Sequence, residues 1–163
     1  MNLRSLCHRR SWIVVAVVAS LVPSHAAFAA SDQRTAGVVP LARYKQECAA
    51  CHVAFPPGML PADSWRRVMG DLPHHYGTDA SLDEAAVSEL VSWLGANAGT
   101  YKRVREAPPE DRITRSAWFV RKHDEVPAAV WKRPAVKSAA NCAACHTQAD
   151  QGDFNEHAVR IPR

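Results

Sequence analysis

The chain has 163 residues, with 20 Lys or Arg against 16 Asp or Glu and a formal net charge of +4. Three of those arginines and none of the acids fall in the first thirty residues, which leaves 17 basic against 16 acidic beyond them. So even a balance excludes a basic surface built for nucleic acid, and no lysine-rich helix argues for lipid.

Arg4, Arg9 and Arg10 precede an apolar run from Trp12 to Val22, and Ala27-Phe28-Ala29 follows with the small-x-small pattern that signal peptidase reads. Residues 1–30 are therefore expected to be a cleaved secretory signal peptide. The run is well short of the roughly 20 apolar residues that span a bilayer. No later segment is apolar enough to do so. About 133 residues remain, right for one domain or two very small ones. Below roughly 70–80 residues each small domain needs a staple.

Val38 to Cys51 reads as a helix, with Leu41, Tyr44, Lys45 and Cys48 recurring at spacings of three and four. Phe55-Pro56-Pro57-Gly58-Met59-Leu60-Pro61 must be loop. Asp63 is placed to cap a short helix, Ser64 to Leu72, that Pro73 ends. Ser81-Leu82-Asp83-Glu84 has the form of a capping box, opening an amphipathic helix to about Ala96 with Leu82, Ala86, Leu90 and Leu94 on one stripe. Gly95 and Gly99 are stop signals. Ala107-Pro108-Pro109-Glu110-Asp111 is the best linker candidate, dividing residues 31–107 from 108–163. Beyond it helical periodicity fades, and nothing in the chain alternates strongly enough to predict a sheet. The expected fold is mainly α, a helical first module followed by a small irregular second one.

Cys7 lies in the signal region. The other four cysteines fall in one repeated word, Cys48-Ala49-Ala50-Cys51-His52 and Cys142-Ala143-Ala144-Cys145-His146. C-x-x-C-H attaches c-type haem. The two thiols add across the porphyrin vinyl groups, and the next histidine turns its imidazole onto the iron. This makes Cys48, Cys51, Cys142 and Cys145 the covalent anchors of two haems, and His52 and His146 the proximal ligands. A redox dithiol has no need of the histidine. A zinc site of cysteines and histidines fits less well with two intact copies that use every remaining cysteine.

The sixth ligand separates carriers from enzymes, because an open iron binds small molecules and a closed one passes electrons. After residue 30, His74, His75, His123 and His157 remain outside the motifs, and the methionines are Met59 and Met69. For the first haem, His75 in Pro73-His74-His75-Tyr76-Gly77 is the first choice, with His74, Met59 and Met69 as alternatives. For the second, His123, upstream of the motif in an aromatic stretch, is the first choice, with His157, eleven residues past His146, as the alternative. Trp65, Trp93, Trp118 and Trp131 read as haem wall or core. Arg112, Arg115, Arg121 and Arg133 read equally as partners for haem propionates or as solvated surface.

With those residues in view, the chain resembles the dihaem cytochrome c family of bacterial periplasms over nearly all of its length after the signal. The likeness is carried by Glu47-Cys48-x-x-Cys51-His52, the proline-rich loop to Pro61, Ser64-Trp65 and His75-Tyr76-Gly77. In the second half it rests on Arg112-Ile113-Thr114, Trp118-Phe119-Val120-Arg121, His123-Asp124-Glu125-Val126, Trp131, Arg133 to Ser138, the second motif and Gly152-Asp153-Phe154. The resemblance implies a first module like a class I cytochrome c, an unusual second module, and histidine on both sides of both irons. It also implies electron donation to a small high-spin haem protein and work with a membrane b-type cytochrome. The expected protein is thus a periplasmic electron carrier. A small peroxidase would need a polar catalytic group over an open iron, and a ligand sensor an output module. The sequence displays neither.

Overall fold

The computed structural model describes residues 41–163. The expected signal peptide and the start of the first expected helix, Val38 to Pro40, lie outside the described residues. All of the described residues belong to one compact unit, Ser31–Arg163.

Five α-helices are joined by 3₁₀ turns: α1 Ala42–Cys48, α2 Ala62–Gly70, α3 Glu84–Ala96, α4 Ala117–Lys122 and α5 Ala128–Trp131. Among the described residues there is no strand ladder, only two isolated bridges, His75 with Thr78 and His146 with Val159. The core gathers Tyr44 of α1, Leu60, Trp65 and Met69 of α2, Leu72, and Leu90 and Leu94 of α3. The expected stripe on α3 is the buried one. Ala86, Leu90 and Leu94 are fully buried, and Leu82 packs against the cluster from just before the helix. Carrying that apolar face into the core, not intrinsic propensity, is what holds a helix of this length.

The helix ends differ from expectation for local reasons. Asp83 caps α3, its carboxylate accepting the Ala86 N–H at 2.8 Å, while Ser81 is drawn back to Asp79. Asp63 lies inside the first turn of α2 and pairs with Arg66, because Pro61 already supplies the extended residue that starts the helix. Gly95 is carried within α3, since a single glycine costs only about 1 kcal/mol against such burial. Within the expected loop Pro57–Met59 makes a 3₁₀ turn. Trp65 donates its indole N–H to the Pro57 carbonyl at 2.7 Å. Gly99 returns to this loop, its N–H on the Leu60 carbonyl at 2.8 Å. The approach is so close that a Cβ there would lie 2.5 Å from both the Gly58 carbonyl oxygen and Val104.

The linker candidate is bound down along its end. Arg67 of α2 grips Asp111 with two parallel bonds of 2.8 and 2.7 Å. Beyond it, residues 112–163 bury four apolar side chains, Phe119, Val130, Val136 and Ala149, which is a thin core for fifty residues. α4 is capped by Ser116, whose hydroxyl accepts the Phe119 N–H at 3.2 Å. The final residues strap the second motif: the Arg160 N–H donates to the Cys145 carbonyl at 2.8 Å and Arg133 donates to the Pro162 carbonyl at 2.6 Å.

Candidate cofactor sites

Each C-A-A-C-H word sits where a short helical turn unwinds, and each brings its histidine against one other histidine. The first word leaves the end of α1. Cys48 is half-buried and Cys51 exposed. Burial, and then the charge of Glu47, pushes the Cys48 thiol up to about 11. In the second word burial pushes Cys142 up to about 11 as well. None of the four thiols is in a disulfide.

His52 is oriented by its own chain. Its Nδ1 lies 2.7 Å from the Val53 carbonyl. A carbonyl only accepts, so Nδ1 carries the proton and Nε2 keeps the free lone pair. Phe55 lies almost parallel to the ring, with centroids 4.8 Å apart and planes 19° apart. On the other side stands His75, its centroid 6.2 Å away.

His75 reaches that position on a tight turn. The Thr78 N–H closes back on the His75 carbonyl at 3.1 Å, with Tyr76 at φ 52° and Gly77 at φ 98°. Positive φ at both central residues marks a mirror-image turn, and Gly77 takes its left-handed conformation without the cost a side chain would bring. Burial, and then the neighbouring His52 and Arg112, lower the pKa of His75, which favours the neutral imidazole that ligates metal. Its neighbour His74 faces solvent and pairs with Asp71 at 2.7 Å. Met59 and Met69 are buried, Met69 in the central core.

In the second site His146 follows Cys145 and faces His123, centroids 6.1 Å apart and planes 74° apart. His123 caps the C-terminal end of α4. Its Nδ1–H donates to the Phe119 carbonyl at 2.9 Å, which again leaves Nε2 free. The Phe119 ring lies over it at 4.0 Å, and Trp131 closes in at 5.8 Å. Burial and then the neighbouring His123 lower the pKa of His146, against the opposing charge of Asp153. His157 is exposed on a 3₁₀ turn at the chain's end.

The spacing of these rings tests whether an iron fits. A metal–imidazole bond is about 2.0–2.1 Å and a ring nitrogen lies roughly 1.1 Å from its ring centre, so two imidazoles on one metal have centroids about 6.2–6.4 Å apart. The observed 6.2 and 6.1 Å match this at both sites. Two buried polar atoms of the second half, His146 Nδ1 and Trp118 Nε1, have no hydrogen-bond partner among the described residues, which suits a half completed by a bound group. No cluster of three or more His, Cys, Asp or Glu side chains is placed to hold a metal ion among the described residues. What is offered is a pair of imidazoles at each site, with two thiols beside it.

Three of the four arginines considered for propionates have protein partners. Arg112 lies over the Tyr76 ring at 4.3 Å, Arg115 pairs with Glu110, and Arg133 takes the Pro162 carbonyl. The aromatic seats of the histidines, Phe55, Phe119 and Phe154 (5.4 Å from His146), all stand in the strings that carry the family likeness, but the sequence assigns them no role. Phe119 was findable, since it lies four residues before His123 on one helix face.

Residues 44–154 match a family model described as dihaem cytochrome c. Among solved structures, a diheme cytochrome type c from Shewanella baltica OS155 is 37% identical, with a TM-score of 0.67 over 76% of this chain and 95% of that one. A diheme cytochrome c from Rhodobacter sphaeroides is 44% identical, with a TM-score of 0.64 over 72% of this chain and 98% of that one. A further crystal structure from the same organism is 46% identical, with a TM-score of 0.62 over 72% and 99%. Among curated proteins none matches the chain.

Proposed function

Because the chain belongs to the dihaem cytochrome c family, with two c-type haems, we propose that it is an exported electron carrier whose two irons are each held between two histidines. His52 and His75 take the first iron, His146 and His123 the second, and the cysteine pairs 48/51 and 142/145 hold the two porphyrins covalently. The observation that carries this reading is the ring spacing, 6.2 Å in one pair and 6.1 Å in the other.

When bound, haem supplies a one-electron iron couple. The protein's own residues do the rest. Val53 and Phe119 hold two of the four imidazoles in one tautomer through their carbonyls, which fixes ring direction and raises ligand basicity. With His52 and His75 on one iron and His146 and His123 on the other, the imidazoles would leave no place for a substrate, and the sites would pass electrons without binding small molecules. Covalent thioethers keep haem in place through both oxidation states.

The resemblance supports a periplasmic setting, with electrons passing between a membrane b-type cytochrome and a small high-spin haem protein. No helix among the described residues is long and apolar enough to cross a membrane. Two measurements on the mature, exported protein test the reading. Mass spectrometry is expected to show two haem additions, and the reduced visible spectrum to stay unchanged under carbon monoxide. A carbon monoxide shift in the native protein would mean an open iron and an enzyme or sensor instead.

A further inference from the structure

We propose that the two irons differ in the orientation of their ligand planes, near-parallel at His52/His75 and crossed at His123/His146, and that Phe119 is the positioning residue that sets the crossed geometry. The inference rests on the ligand pairs proposed above. The planes of His52 and His75 are 19° apart and those of His123 and His146 are 74° apart.

At the first site the alignment is shared by three rings, since Phe55 lies 19° from His52 in its turn. At the second site the plane of His123 is dictated by the helix that carries it. Phe119 precedes His123 by four residues, so the two side chains stack along α4 at 22°. The Phe119 carbonyl also holds Nδ1 at 2.9 Å, so one residue restrains the imidazole by its face and by its edge. His146 is held independently: its backbone bridges Val159 and its ring is tilted 56° from Phe154. Two unconnected supports therefore set two unrelated planes.

The consequence is electronic. An imidazole's π orbital mixes with the iron d orbital that points perpendicular to the ring plane. Parallel rings act on the same d orbital and split the pair. Crossed rings act on one each and leave the pair nearly degenerate. Axial ligation is one of the levers by which a protein tunes haem iron, and here two sites with the same ligand set carry different settings of it.

Low-temperature electron paramagnetic resonance of the oxidised full-length protein tests this. The expected spectrum has two low-spin species in equal amounts, one rhombic with three resolved features, one with a single strongly shifted low-field feature. Phe119→Leu is expected to move the low-field feature toward the rhombic form, Phe119→Tyr to retain it, and Phe55→Leu to leave it in place. Two rhombic species in the native protein would overturn the crossed geometry while leaving the histidine pairs intact. An unchanged low-field feature in Phe119→Leu would overturn the role of Phe119. A high-spin ferric signal would remove a ligand pair, and both claims with it.

Discussion

The hydroxyl of Tyr76 donates to the backbone carbonyl of Asp111 at 3.1 Å, which ties the residue beside His75 to the far end of the linker candidate, residues 107–111. The same hydroxyl reaches Glu110 at 3.2 Å. Tyr76, Glu110 and Asp111 all stand at positive φ, 52°, 53° and 53°. Each such residue costs on the order of 1 kcal/mol or more and persists only where its surroundings hold it.

Tyr76→Phe keeps the ring under Arg112 and removes only that donor. The site is partly exposed, so the loss is expected to be about 0.5–1.5 kcal/mol and the fall in Tm a few degrees. Thermal unfolding checks the magnitude. A double-mutant cycle with Arg67→Ala is expected to show coupling of at least about 0.5 kcal/mol, because both side chains converge on Asp111.

The ion pair beneath this clamp gives an acid dependence. Hydrogen bonds from Arg67, first, hold the Asp111 carboxyl below its ordinary value. A carboxylate with a depressed folded pKa contributes stability that is fully present above the unfolded value of about 3.9 and is lost as pH falls through the folded value. Asp111→Asn is therefore expected to destabilise the protein at pH 7 and to lessen the loss of stability between pH 7 and acid. Arg67 is half-exposed, so salt should weaken the effect. Urea unfolding at pH 7 and in acid, at two salt concentrations, checks both.

The ligand assignment predicts a pattern among the histidines. His75→Ala and His123→Ala are each expected to open one iron, seen as carbon monoxide binding by about half of the haem. His74→Ala and His157→Ala are expected to open none, since His74 is engaged by Asp71 at the surface and His157 is exposed. Carbon monoxide binding in His157→Ala but not in His123→Ala would move the second distal ligand to His157.

The second half depends on its haem. Four buried apolar side chains do not offset roughly 1–2 kcal/mol of backbone entropy for each ordered residue. A porphyrin would bring an apolar face, and with His123 and His146 on one iron, as proposed, the clamp would close 22 intervening residues. Cys142→Ala with Cys145→Ala is expected to unfold the chain beyond about residue 112 and to spare the first half, where Leu90 and Leu94 keep their core. Hydrogen exchange by segment measures this. Native-like protection beyond residue 112 in the double variant would defeat the argument.

Short-range chemistry determined much of this protein from its sequence alone. The repeated C-A-A-C-H words name the cofactor because attachment needs two thiols and a histidine within five residues. The Ala86-Leu90-Leu94 stripe names the buried face of α3 because side chains four apart share a face. Pro57 and Gly58 mark the turn because proline fixes φ and has no N–H to give a ladder, while glycine accepts turn conformations that other residues avoid. The tertiary structure alone decided what meets across long separations. It set His75 opposite His52 and His123 opposite His146, and it put Arg67 on Asp111 across 44 positions. It also moved the cap of α3 from Ser81 to Asp83, a choice between neighbours of similar capping strength in which Ser81 is taken up by Asp79 and Asp83 is left to accept the Ala86 N–H. The angle between two imidazole planes is more remote still from sequence. It depends on the packing of separate aromatic rings, and no periodicity or spacing in a single chain encodes how those rings will lie once folded.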